Sequence, residues 1–190
     1  DWFYEAITES YLPFLAIAEG WRRDGVPARL TLSLSPPLLE MLRDDLLVGR
    51  YRNRLLALLD LAESEVRRNA NDERFRFTAG LYRDRFADAL DRFERKYSCD
   101  LISAFKALQD AGILEIVTSC GTHAFLPGYS TDYARAQIRL GINSYRECFG
   151  HNPLGMWLPE CGFISGIDRI LANEGINYFL VDSHAIDFAD

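Results

Sequence analysis

Short apolar stretches alternate with helical patterns along much of the 190-residue chain, and this alternation limits the possible folds more than any other feature. Strand-like stretches occupy four ranges: 29–34, 113–118, 154–158 and 177–182. Helical patterns at 132–149 and 164–174 each end directly before a glycine. Repeated strand–helix–strand units are typical of a parallel sheet with crossover helices, so the sequence predicts an α/β fold.

A long stretch rich in leucine, arginine and glutamate, 38–111, separates the first two predicted strands. Its apolar residues recur at helical spacing, and polar breaks at 69–72 and 97–99 divide it into several helices. It is longer than a minimal strand–helix–strand crossover requires. We therefore expect a helical insertion subdomain over 38–111. A further helix is expected over 2–19, ended by Gly20 and Gly25.

Composition and charge exclude several classes of partner. The formal net charge is -7 and there is no long basic run, which argues against binding to nucleic acid or to an anionic membrane surface. An acidic protein suits a neutral substrate instead. We expect neither a membrane span nor a signal peptide. The four cysteines have no Cys-x-x-Cys spacing, so free thiols in a reducing cytoplasm are the simplest interpretation.

The stretch Gly155–Phe163, GMWLPECGF, carries the clearest candidate for catalysis. An apolar strand stops at Pro159 and Glu160 follows at once. Parallel α/β folds place their chemistry just beyond the C-terminal ends of strands. Glu160 is therefore a candidate nucleophile or acid/base, with the indole of Trp157 close to it in sequence. The alternative is an exposed, solvated glutamate at a strand exit.

A second cluster of polar residues, Ser119, Cys120 and His123, follows the predicted strand 113–118. Such a loop can present a hydroxyl, a thiol and an imidazole to a ligand. Cys120 and His123 could form a thiolate–imidazole pair. An inert buried cysteine beside a hydrogen-bonding histidine is the alternative. The Gly-x-Ser-x-Gly spacing of a nucleophile elbow is missing.

Glu115 is a charged residue inside an otherwise apolar strand, so it must be paired or must face a polar cavity. The predicted strand 177–182 also ends in polar residues, Asp182 and then His184. Three successive strands thus deliver polar groups toward what would be one edge of the sheet. We expect these side chains to converge on a single cavity.

Two of these stretches resemble conserved regions of glycoside hydrolase family 57, and most closely those of its 1,4-α-glucan branching enzymes. The stretches are GILEIVTSCGTHAFLP at 112–127 and GMWLPECGF at 155–163. RLTLSLSPPLLEML at 29–42 and WFYEAITESYLPFL at 2–15 are similar to the same group. The family's amylases and 4-α-glucanotransferases carry different residues around the corresponding glutamate.

The resemblance implies a retaining enzyme on a (β/α)₇-type parallel barrel, of which this chain is a part. Such an enzyme cleaves an α-1,4 link in a linear glucan, such as amylose or glycogen, and transfers the piece to a 6-hydroxyl. Glu160 matches the family's nucleophile and His123 a histidine near the donor sugar. Trp157, Glu115, Ser119, Cys120 and Asp182 are expected around the substrate. No cofactor or metal is expected, because a fixed carboxylate stabilises the oxocarbenium-like charge.

Departures from the family pattern limit this expectation. The His-x-His-type first strand and the later aspartate that acts as general acid do not match anything in this chain, so we expect a fragment that is inactive alone. Neither Asp182 nor Asp187 is assigned the acid role. A family amylase, a 4-α-glucanotransferase or a non-catalytic glucan-binding fragment remains an alternative. A metal-dependent deacetylase is disfavoured, since the three histidines lie 28 and 33 residues apart.

Overall fold

The computed structural model describes residues 2–183, so that His184 and Asp187 lie outside the described part. The eight α-helices of this part are α1 (Trp2–Ala6), α2 (Leu12–Arg23), α3 (Pro36–Arg43), α4 (Asp45–Arg68), α5 (Glu73–Asp91), α6 (Leu101–Asp110), α7 (Thr131–Phe149) and α8 (Ile167–Asn173). Its four strands are β1 (Leu30–Ser33), β2 (Leu114–Ser119), β3 (Gly155–Trp157) and β4 (Tyr178–Leu180). Short π-helical segments cover Ile7–Tyr11 and Arg92–Lys96, and 3₁₀ turns cover Leu126–Gly128 and Pro159–Cys161.

The four strands form one parallel sheet in the order β1-β2-β3-β4, which confirms the predicted α/β fold. Leu30 pairs with Leu114, Thr118 with Met156, and Gly155 with Tyr178. Since all strands run the same way, the loops that follow β2, β3 and β4 all begin at the C-terminal ends of the strands. These strand ends together form the C-terminal edge of the sheet. Chemistry in such folds collects at this edge.

The stretch between β1 and β2 is helical, as predicted. Asp44 caps α4 by accepting a hydrogen bond from the Leu47 amide at 2.8 Å, and Asp72 caps α5 through the Arg74 amide at 3.0 Å. For the N-terminal helix, the predicted end at Gly20 is wrong and the predicted end at Gly25 is confirmed. Helix α2 continues through Gly20 to Arg23, because the chain reverses only at Gly25, where φ is +68°.

The chain divides into two compact units. One comprises the residues up to Pro27 together with Leu42–Leu108, and the other comprises Ala28–Met41 together with the residues from Gln109 onward. The sheet belongs to the second unit. The limits of an insertion subdomain at 38–111 stay a prediction. No helix of the described residues is long and apolar enough to cross a membrane.

The core of the second unit lies between the sheet and helices α7 and α8. It is an apolar cluster that includes Ile138, Ile142, Met156, Leu158 and Ile170. Helix α7 approaches β2 so closely that a Cβ at Gly141 would overlap the backbone carbonyl of Ser119. Ser130 caps α7 at its start, and Gly150 ends it with a φ of +82°. This helix therefore lies directly behind the C-terminal half of β2.

Candidate active site

Two loops at the C-terminal edge of the sheet bring a histidine and a glutamate into contact. His123 lies in the loop after β2, and Glu160 lies in the 3₁₀ turn after β3. His123 Nε2 and Glu160 Oε1 are 3.1 Å apart, within hydrogen-bonding distance. Two residues 37 positions apart in the chain thus form one carboxylate–imidazole pair.

The backbone holds both members of this pair in the left-handed region. The φ angle is +57° at His123, +54° at Glu160 and +53° at Cys161. A residue with a Cβ carries a conformational cost there of roughly 1–2 kcal/mol. Five non-glycine residues of the described part have positive φ, and three of them lie in these two loops. Such a concentration is typical of functional sites, where surrounding contacts enforce an unfavourable backbone.

Contacts between the two loops help to hold them in place. Gly162 lies under Phe125 and Pro127 of the β2 loop, and a Cβ at this position would overlap the Phe125 ring. The absence of a side chain at Gly162 therefore allows the loops to pack closely. On the other side of the turn, the Phe163 ring stacks on Phe179 of β4 with centroids 5.5 Å apart.

The pair is open to water. The side chain of Glu160 is 74% exposed and that of His123 is 48% exposed. An imidazole N–H can donate to one carboxylate oxygen and leave the other oxygen free. This arrangement suits a carboxylate nucleophile that must be held in one orientation. Among residues 2–183, no group of three or more histidine, cysteine, aspartate or glutamate side chains is arranged to hold a metal ion.

A comparison with family models decides the family to which this chain belongs. The family model described as glycosyl hydrolase family 57 matches residues 1–189. This chain belongs to glycosyl hydrolase family 57. Its family 57 relatives include the 1,4-alpha-glucan branching enzyme TK1436 of Thermococcus kodakarensis, which is 31% identical over 203 residues. That alignment takes in 98% of this chain and 30% of the relative.

Solved structures of family 57 proteins share the fold. The alpha-amylase AmyC of Thermotoga maritima is 40% identical with a TM-score of 0.92, covering 100% of this chain and 36% of that protein. The GH57-type branching enzyme of Pyrococcus horikoshii is 33% identical with a TM-score of 0.90, covering 98% and 38%. The chain therefore spans 30% to 38% of the length of these three proteins. The partial barrel of the (β/α)₇ type is confirmed by this similarity.

Ser119 and Trp157 are neighbours at the ends of β2 and β3. They pair in register, and Ser119 Oγ donates a hydrogen bond of 2.9 Å to the Trp157 carbonyl. Ser119 is buried and Trp157 half-buried. The serine hydroxyl thus links the two strands whose following loops carry His123 and Glu160, and a contact of either side chain with substrate stays a prediction.

Glu115 lies in the N-terminal half of β2. It is four residues from Ser119, which corresponds to about 13 Å along a strand. Its carboxylate accepts a hydrogen bond of 2.5 Å from the Tyr178 hydroxyl on β4. The structure therefore gives this unusual charge a partner inside the sheet, separate from the pair of His123 and Glu160. A role for Glu115 in binding substrate stays a prediction.

Cys120 and Asp182 occupy different surroundings. Cys120 is fully buried in the apolar cluster of the second unit, and burial raises the pKa of its thiol to about 12. A thiol with this pKa stays protonated at neutral pH, which does not support the alternative of a thiolate–imidazole pair. Asp182 is exposed two residues beyond β4, where Ser183 Oγ donates to it at 3.3 Å. Contacts of these two residues with substrate stay predictions.

Gln137 and Tyr178 have polar contacts that the sequence analysis missed. Gln137 is buried on α7, and its side-chain oxygen accepts hydrogen bonds from Thr122, the residue before His123. A signal for Gln137 existed in the sequence, since it falls on the apolar stripe of the predicted helix together with Ile138 and Gly141. A polar residue on such a stripe requires a buried partner.

Proposed function

We propose that the full-length protein containing this chain is a 1,4-α-glucan branching enzyme that acts by double displacement, with Glu160 as nucleophile. The observation that carries the proposal is the contact between His123 and Glu160 at the C-terminal edge of a family 57 sheet. Support comes from the branching enzymes of Thermococcus kodakarensis and Pyrococcus horikoshii among its relatives. The substrate would be a linear α-1,4-glucan.

Glu160 would attack the anomeric carbon of the donor glucan. The bond to the leaving oxygen breaks while a carbon–oxygen bond to the carboxylate forms, giving a covalent glycosyl-enzyme. A general acid must protonate the leaving oxygen, and in retaining enzymes its carboxyl group lies about 5–5.5 Å from the nucleophile. We expect that group outside this chain. His123 would donate to Glu160 and direct its free oxygen at the sugar.

The second half of the reaction decides between transfer and hydrolysis. In branching, a glucan 6-hydroxyl attacks the anomeric carbon of the glycosyl-enzyme and loses its proton to the base form of the general acid. The new α-1,6 link forms as the bond to Glu160 breaks, which releases its carboxylate. In hydrolysis, water takes that place. Hydrolysis is the second candidate function, because the alpha-amylase AmyC is 40% identical to this chain. The two outcomes share the role of Glu160 and differ only in the acceptor.

Replacing Glu160 by glutamine in the full-length protein tests the proposal. Glutamine keeps the size and hydrogen-bonding capacity of the side chain but removes the attacking charge, so activity on amylose should fall by about three orders of magnitude or more. Asp132→Asn is the matched control, since this carboxylate in the first turn of α7 is 96% exposed. The control should keep near-normal activity.

Product analysis separates the two candidate functions. New α-1,6 links, detected by NMR or by debranching, would support branching, whereas reducing ends without new links would support hydrolysis. Azide should restore cleavage by a Glu160→Gly variant and give a glycosyl azide of inverted configuration. Near-normal activity of Glu160→Gln would overturn the assignment of the nucleophile.

A further inference from the structure

Gln137 is a buried polar residue on the face of α7 that packs against the sheet. Its exposed fraction is 4%, and it lies beside Ile138 in a helix whose buried face is otherwise mostly apolar. A buried amide group is unfavourable unless both its oxygen and its nitrogen have partners. The partners of Gln137 therefore show what the residue does.

All of these partners lie in the β2 loop or on the same helix. Gln137 Oε1 accepts one hydrogen bond from the Thr122 backbone amide at 2.8 Å and another from Thr122 Oγ1 at 3.1 Å. The Gln137 backbone carbonyl accepts from the Gly121 amide at 2.9 Å. Gln137 Nε2 donates to the Tyr133 hydroxyl at 3.2 Å. A single residue thus fixes two consecutive residues of the loop through three hydrogen bonds.

The next residue in this loop is His123. Its backbone amide donates to the Cys120 carbonyl at 3.2 Å, and its φ of +57° carries a conformational cost. Histidine does not favour this conformation by itself, so the neighbouring residues must impose it. Thr122, the residue directly before His123, is tied to α7, and Cys120, whose carbonyl accepts from the His123 amide, is buried in the core. His123 is therefore restrained through both of these residues.

We propose that Gln137 is a positioning residue for catalysis, holding His123 at hydrogen-bonding distance from Glu160. The inference rests on the proposed function of that pair. Displacement of a catalytic group by about 1 Å can lower a rate about 100-fold, so a fixed loop matters more for the chemical step than for binding a long glucan. Gln137 itself touches neither sugar nor reacting atoms in this role.

The test compares two buried polar residues that both join β2 or its loop to α7. Gln137→Met removes the acceptor for Thr122 and keeps a side chain of similar length. Thr118→Val is the matched control, because Thr118 Oγ1 is buried and donates to the Gly141 carbonyl at 2.9 Å without a bond to the loop. Both variants are made in the full-length enzyme, and thermal unfolding, kcat and KM on amylose are measured.

We expect both variants to unfold at lower temperature and only Gln137→Met to lose kcat, by about 10-fold to 100-fold with KM changed less than about threefold. Gln137→Glu should recover most of this loss, because its oxygens can accept from Thr122 and the Tyr133 hydroxyl can donate instead of accept. Equal kcat in all three variants and the wild type would overturn the proposal, as would equal losses in Gln137→Met and Thr118→Val.

Two further measurements keep the result decisive. If Gln137→Met does not fold, Thr122→Val removes one of the three hydrogen bonds, and an unchanged kcat in that variant would overturn the proposal. A crystal structure of Gln137→Met should show His123 Nε2 displaced from Glu160 Oε1 relative to the 3.1 Å contact. An unchanged contact would refute the positioning role of Gln137, whether or not the enzyme acts on glucans. A wild-type enzyme without activity on glucans would refute the proposed function but leave this structural test valid.

Discussion

The Tyr178 hydroxyl donates a hydrogen bond of 2.5 Å to Glu115 Oε1 across the intervening strand β3. The ring passes over Gly155, which pairs with Tyr178 in register and has no side chain to block it. Burial raises the pKa of Tyr178 first, and the hydrogen bond to Glu115 and its negative charge raise it further. The hydroxyl therefore stays a donor throughout the neutral range and ties β2 to β4.

Removing either partner should destabilise the sheet. Tyr178→Phe leaves the partly buried Glu115 carboxylate without this donor, and we expect the free energy of unfolding to fall by about 1–3 kcal/mol. Glu115→Gln weakens the same bond. Because both changes act on one interaction, the double variant should be less destabilised than the sum of the single variants, as measured by denaturant unfolding. The control is Tyr129→Phe, an exposed tyrosine for which we expect less than about 0.5 kcal/mol.

Additive losses in the double variant would contradict this prediction, because they would mean that Glu115 and Tyr178 stabilise the protein independently. A loss as large in Tyr129→Phe as in Tyr178→Phe would contradict it as well.

The sequence indicated that Glu115 needs a partner but could not indicate which one. The residues next to Glu115 in the sequence are apolar, which made a solvated charge implausible. The need for a partner could therefore be inferred from the neighbouring residues alone. Tyr178 lies 63 residues away, and its hydroxyl reaches Glu115 only because of the register of three strands and the absence of a side chain at Gly155. Such a partner is determined by tertiary packing, which the pattern of neighbouring residues in the sequence does not reveal.

The same limit applies at the candidate site. Position after a predicted strand indicated both Glu160 and His123, and the family resemblance implied a role for each. Their contact and their left-handed backbone depend on how two loops 37 residues apart pack together. Cys120 shows the converse, because its neighbours in sequence are polar while its neighbours in space are apolar side chains from helices α7 and α8.

Cys120 should resist chemical modification. Burial raises the pKa of its thiol to about 12, so at pH 8 almost none of it is the reactive thiolate. Treatment of the folded protein with iodoacetamide at pH 8, followed by peptide mass spectrometry, should leave Cys120 unmodified while the partly exposed Cys161 is alkylated. Denaturant should make both react. Modification of Cys120 at the rate of Cys161 in the folded protein would show that the thiol is accessible.

Alkaline pH should destabilise the protein through Tyr51. Burial raises its pKa from 10.0 to about 12, and this outweighs the opposite effect of the hydrogen bond with Thr8. The folded state keeps the phenolic proton above pH 10, whereas the unfolded state loses it. The stability contributed by the neutral tyrosine is therefore complete below pH 10 and is lost as the pH rises toward 12.

Tyr51→Phe isolates this contribution. Relative to this variant, the wild type should lose about 1.4 kcal/mol of unfolding free energy between pH 9 and pH 11, since the unfolded chain gains one ionisation. Denaturant titrations of both proteins at pH 9, 10 and 11 measure the difference. A constant difference across this range would mean that Tyr51 ionises equally easily in the folded state.

Glycine-to-alanine substitutions in two helices should change stability in opposite directions. Gly141 lies in α7, where a Cβ would overlap the Ser119 carbonyl, and backbone cannot rotate away as a side chain can. Gly141→Ala should therefore push α7 from β2 and cost about 3 kcal/mol or more. Gly80 lies within α5, and a Cβ there meets nothing within 4 Å, so Gly80→Ala should stabilise the protein by about 0.5–1 kcal/mol through higher helix propensity. Thermal unfolding of both variants measures the contrast. Equal shifts would mean that helix propensity alone governs both sites, and the close contact of α7 with β2 would then be wrong.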